Sequence, residues 1–92
     1  MTSVTLELPS LLVSMLGVPE RIDTHGTTIR SALANACAAH PTLRVHLFDE
    51  DQELREHVLC FHNDANTRWL PSLDEPVSDG DRLTVIQAVS GG

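Results

Sequence analysis

The chain holds no lysine and no tyrosine, and only one tryptophan, two phenylalanines and two cysteines among its 92 residues. Each scarcity excludes something. Its positive charge comes from six arginines set against thirteen acidic residues, a formal net charge of -7. Nucleic-acid binding depends on clustered lysine and arginine that neutralise phosphates. DNA and RNA are therefore excluded as partners, and a basic protein surface is expected in their place. Cys37 and Cys60 share neither C-x-x-C nor metal-ligand spacing, which excludes a four-thiolate iron–sulfur cluster built by this chain and argues against a disulfide framework. Reduced thiols are expected. The richest apolar run, Leu11-Leu12-Val13-Ser14-Met15-Leu16, is too short to cross a bilayer, and the opening MTSVTLEL has no basic segment leading into an apolar one. These absences predict a cytoplasmic protein with no membrane partner. Neither a P-loop nor a G-x-G-x-x-G motif is present, so no nucleotide cofactor is expected on this chain.

What is present reads as one small domain, since 41% apolar content in a chain of this length suits a single core. Val4, Leu6 and Leu8 alternate with Thr5 and Glu7, the period of a half-buried strand that ends at Pro9. A long connection containing the Gly17 turn signal leads to a second short strand at Glu20-Arg21-Ile22-Asp23 and the His25-Gly26 turn. Thr28 can cap a helix in which Ile29, Ala32, Leu33, Ala36 and Cys37 fall on one face, and His40-Pro41 ends it. Leu43 to Phe48 suggests a further helical turn before the solvated acidic tip Asp49-Glu50-Asp51. A strand is expected over Leu54 to Phe61, stopped by Asn63-Asp64, and a short one from Trp69-Leu70. Asp79-Gly80-Asp81 is a turn, and Arg82 to Ala88 forms the last strand. The predicted fold class is α+β: a mixed sheet of four to five strands with one main helix packed on one face, in the order ββαβββ.

The last strand runs into Ala88-Val89-Ser90-Gly91-Gly92, so the domain is expected over 1–88 with a flexible diglycine tail over 89–92. Three segments carry a resemblance: His25-Gly26-Thr27-Thr28-Ile29 entering the helix, Phe61-His62-Asn63-Asp64 with Arg68-Trp69, and Asp79-Gly80-Asp81 through to Gly91-Gly92. Together they resemble the ThiS/MoaD/CysO family of ubiquitin-like sulfur-carrier proteins, which implies a β-grasp fold. The chain departs from that pattern at His62 and in Leu70-Pro71-Ser72-Leu73, which lacks a glycine.

The resemblance implies a non-enzymatic cosubstrate. Gly92 would be the reacting carboxyl terminus, adenylated and then thiocarboxylated, with Gly91 giving it passage through a narrow channel because glycine has no Cβ. ATP would be bound and used by a ubiquitin-activating-type (ThiF/MoeB-like) partner. A sulfur-accepting synthase, and a protease that trims the tail, would complete the set of partners in a cysteine, molybdopterin or other sulfur-metabolite pathway. Two other readings use the same residues: a ubiquitin-like modifier conjugated through Gly92, and a β-grasp interaction module with an incidental GG. The missing lysine has a simple source in arginine-rich codon usage, yet a chain whose carboxyl end becomes an activated acyl group also gains by carrying no side-chain amines.

Strand alternation supplies the candidate docking surface. If Val4, Leu6, Leu8, Leu83 and Val85 face the helix, then Leu59, Phe61 and Ile86 form an outward apolar patch, with Val89 and Ser90 leading from it. The opposite assignment of faces is the alternative. The five histidines, 25, 40, 46, 57 and 62, include no helical i, i+4 pair, so they are expected to be ordinary surface histidines and no metal is expected. Cys60 is expected to be a core residue and not a nucleophile.

Overall fold

The computed structural model describes residues 2–87. The expected tail over 89–92, together with Ala88, lies outside the described residues. Within them the chain forms β1 (Ser3–Glu7), α1 (Ser10–Leu16), β2 (Arg21–His25), α2 (Ile29–Ala39), α3 (Pro41–Leu47), β3 (Val58–His62), β4 (Ala65–Asn66), a 3-10 turn (Thr67–Trp69) and β5 (Asp81–Gln87). The five strands make one sheet in the order β2-β1-β5-β3-β4. β1 and β5 are parallel neighbours at its centre, with Leu6 opposite Leu83, and the other pairings are antiparallel. The first and last strands therefore lie side by side, as the β-grasp expectation requires.

Alternation along each strand sorts the two faces. Val4, Leu6, Ile22, Val58, Cys60, Leu83 and Val85 are buried beneath the helices. α2 covers them with Ile29, Ala32, Leu33, Ala36 and Cys37, the five positions its spacing predicts. Burial of Ile29 and Leu33 contributes about 1.5–3 kcal/mol each. The start of α2 is doubly secured. Thr28 accepts a hydrogen bond from the Ser31 backbone N–H at 3.1 Å, while Ser31 Oγ accepts from the Thr28 N–H at 3.0 Å. Ile29 and Arg30 then donate their backbone N–H groups to the carbonyls of Glu75 and Leu73, so a distant loop satisfies donors that a helix start leaves open. That loop is the segment without a family glycine, and it is anchored by buried Leu73 and Val77.

Several expectations need correction. The long connection after Pro9 is a helix, α1, closed by Gly17 in the left-handed conformation at φ 67°. It escapes notice in the sequence because its start has no side-chain cap and it is seven residues long. His40-Pro41 does end α2, but Pro41 then occupies the first turn of α3, where its missing N–H does no harm. α2 is the main helix on the sheet, as expected, while α1 and α3 add buried Leu12, Leu43 and Leu47 to the core. The second strand is displaced toward His25, and β3 begins at Val58, not Leu54, whose place is a single bridge to Phe48. No strand starts at Trp69: the short strand is Ala65–Asn66, and Trp69 closes a 3-10 turn and is 85% exposed.

Candidate functional site

Because β1 and β5 are parallel, the end of β5 and the end of β1 lie at the same edge of the sheet. Gln87, the last described residue, pairs with Val58 at the start of β3. Whatever follows Gln87 therefore starts at that edge, near α1, which follows β1 after two residues.

The outward face of the sheet is divided. On β3 and β5, Leu59 stands opposite Ile86 and Phe61 opposite Thr84, a short apolar strip that begins one residue from Gln87. Ile86 is 44% exposed, and Leu59 and Phe61 are half-buried. The structure thus brings three of the expected docking residues together on the face away from the helices, while Val89, Ser90, Gly91 and Gly92 lie outside the described residues. On β1 and β2 the same face is polar. It carries Thr5, Asp23 and a Glu7–Arg21 ion pair at 3.5 Å, with Glu7 next to Thr84 in the register. An apolar strip with a charged flank can both exclude water from a partner and orient it.

Sequence reading missed part of this edge. Leu11 and Met15 on α1 are 59% and 53% exposed, at i, i+4 spacing on one helix face. The signal available was the helix stop at Gly17 directly after Leu11-Leu12-Val13-Ser14-Met15-Leu16.

The opposite end of the sheet is tied down by polar groups. His62 Nε2 lies 2.6 Å from Asp81 Oδ2, which also accepts from the Ser78 backbone N–H at 2.8 Å, and Asn63 donates to Asp81 Oδ1 at 3.2 Å. The bond to His62, then those from Ser78 and Asn63, hold the Asp81 carboxyl down at about 2. His62 is therefore not an ordinary surface histidine, as expected from its spacing, but a 20% exposed partner of a carboxylate at the margin of the core. The side chain at this position makes a charge-assisted hydrogen bond.

Both thiols are buried. Burial pushes the Cys60 thiol up to about 12 and the Cys37 thiol up as well, so neither is a nucleophile at neutral pH. A depression of about 450 Å³ lies between Leu54, Glu56, Arg68 and Leu73, apart from the apolar strip. Its Arg68 guanidinium is already committed to the carbonyls of Arg55, Glu56 and Val58. Among the described residues, no group of three or more His, Cys, Asp or Glu side chains could hold a metal ion, and no helix is long and apolar enough to cross a membrane.

Known proteins are similar to this chain in sequence and overall structure. The sulfur carrier protein CysO of Mycobacterium tuberculosis is 26% identical over 92 residues, covering 98% of this chain and 99% of its own. The small archaeal modifier protein 1 of Haloferax volcanii is 34% identical over 73 residues, covering 78% of this chain and 79% of its own. Among solved structures, the Amycolatopsis orientalis BexX/CysO complex superposes with a TM-score of 0.84 at 28% identity, covering 97% of this chain and 99% of the matched one. The ThiS family model matches residues 13–92, a span that includes the second half of α1, the outward strip and the diglycine. With the β-grasp sheet order and a family match over most of its length, the chain belongs to the ThiS family of ubiquitin-like proteins.

Proposed function

We propose that the chain is a sulfur carrier, a protein cosubstrate whose cargo sits on the carboxyl carbon of Gly92. The observation that supports this most directly is the direction of β5. The strand delivers the chain to the sheet edge beside the outward strip, so a partner that grips Leu59, Phe61 and Ile86 holds the root of the tail as well. Five extended residues beyond Gln87 span about 17 Å, which sets how near the docked body must stand to the reacting centre.

The chemistry begins from an inert group, since an α-carboxyl with a pKa of about 3.5 is a carboxylate at neutral pH and resists nucleophiles. An adenylating partner binds ATP. The Gly92 carboxylate attacks the α-phosphate, pyrophosphate leaves, and a mixed anhydride with AMP forms. A sulfur donor then attacks the carbonyl carbon, AMP departs, and a thiocarboxylate remains for a sulfur-accepting synthase. The body recognises and positions, while the partners supply ATP and catalysis. If a longer precursor is made, a protease would expose Gly92. The names of the mycobacterial and actinomycete relatives favour this reading over an incidental diglycine.

A second reading has its own support, because the 34% identical archaeal relative is named as a modifier protein. There the same activated carbon would pass to an amine on another protein, and only the product differs. Intact-mass spectrometry after incubation with ATP, an adenylating partner and sulfide separates the two. The sulfur-carrier reading expects one oxygen replaced by sulfur in the intact chain and no change in a chain lacking Gly92. Conjugates without the sulfur mass would favour the modifier, and neither product would overturn both readings.

A further inference from the structure

An activated acyl group is attacked first by the nucleophiles closest to it, which are those of its own chain. The strong ones in proteins are lysine amines, cysteine thiolates and, at higher pH, tyrosine phenolates. Lysine and tyrosine are absent from the entire sequence. The two cysteines are 4% and 0% exposed, Cys37 on the buried face of α2 and Cys60 in the middle of β3. What the surface offers is arginine, hydroxyls and histidine. Guanidinium stays protonated and hydroxyls without a base are poor nucleophiles. An acylated imidazole is labile in water and returns the carboxylate, with no lasting link.

We propose that the body is chemically inert to its own activated carboxyl group, so that the acyl group passes only to a sulfur donor or a partner, and no side chain can accept a second copy of the protein. This rests on the reading of Gly92 as the activated carbon. It goes beyond that reading by assigning a purpose to the rest of the surface, and it makes the chain an end unit: in either role it can be transferred once, and nothing can be built on its side chains. An α-amine ahead of β1 starts far from the root of the tail. Gly80 donates its N–H to the Ser3 carbonyl at 2.8 Å, placing the start of β1 at the opposite end of β5 from Gln87. That strand length is about 23 Å.

The test uses a chemically made thioester at Gly92 of the full chain, so no activating partner is needed. It is kept dilute at about pH 9, where a measurable fraction of any lysine is neutral. In the variants H57K and Q87K, both altered at the paired ends of β3 and β5 from which the tail departs, the introduced amine attacks the Gly92 carbonyl. The carbon–sulfur bond breaks, the small thiol leaves with the proton, and a ring lighter than the free acid by one water forms. Mass spectrometry is expected to show only the free acid from the native chain, formed at the rate of a short thioester peptide ending in AVSGG. At least about tenfold more ring product is expected from the variants, because the amine is held near the carbonyl. Ring closure or a side-chain link in the native chain would overturn the proposal, as would variants that stay as unreactive as the native chain while added free glycine captures the acyl group. Failure of the ATP-dependent mass change would instead count against the sulfur-carrier reading and leave this result standing.

Discussion

At Asp81 one carboxylate gathers the adjacent His62 and Asn63 and the Ser78 N–H, from two separate points of the chain, and its protonation is thereby coupled to folding. Its folded pKa is lowered from 3.8 to about 2, so its contribution is complete above pH 4 and is lost as the pH falls through that interval. The full shift sets an upper bound of about 2 kcal/mol, which solvent screening reduces. Denaturant unfolding followed from pH 7 to pH 2 should show this loss, and Asp81→Asn should lower stability at pH 7 while flattening the acid limb. A second residue-scale prediction concerns Gly26. A Cβ there would stand 2.5 Å from Ser31 Oγ and 2.6 Å from the Ala32 nitrogen, inside the reciprocal cap of α2. Gly26→Ala is expected to lower stability by about 1–3 kcal/mol, read as a fall in the urea midpoint at constant m-value. The glycine was visible in the sequence as a turn signal. Its true role, close approach to the first turn of a helix, depends on where Ser31 comes to rest, which spacing alone does not reveal.

At the scale of elements, legibility followed the strength of local pattern. The alternation of Val4, Leu6 and Leu8, the Thr28 cap and the period of Ile29, Leu33 and Cys37 each encode one structure, and all three formed as read. α1 lacked a polar cap, and its apolar positions on both sides of the helix blurred the period that would have identified it. β3 starts late because the segment before it is drawn off by other contacts. Arg55 donates from its side chain to the Val45 carbonyl, and Arg30 to the Gln52 carbonyl, ties that join residues far apart in the chain. α1 now allows a paired test. Leu12 is fully buried and its neighbour Leu11 is 59% exposed. Leu12→Ala should destabilise by about 2–4 kcal/mol and Leu11→Ala by less than about 0.5 kcal/mol, as thermal unfolding would measure. Equal losses would mean that α1 packs in a different rotation.

For the molecule as a whole, the outward strip was legible as an alternation, and the buried faces of β3 and β5 decided between the two possible orientations. What occupies the strip is a matter of kinetics. Ile86→Asp should change stability by less than about 1 kcal/mol, since the residue is half outside the fold, yet slow the proposed ATP-dependent formation of a thiocarboxylate by about tenfold or more. With a net charge of -7 the native rate should also fall as salt is raised, in the manner of a steered encounter. An unchanged rate in both experiments would place the docking surface elsewhere. The parallel pairing of β1 and β5 carries one further consequence, a mechanical one. If the chain is pulled by its two ends, the hydrogen bonds between these central strands are sheared together, not opened one after another from an edge. Forced unfolding is governed by the height of that barrier and not by equilibrium stability, so a proteolytic motor that seizes the tail would meet its greatest resistance at the first strand it tries to extract.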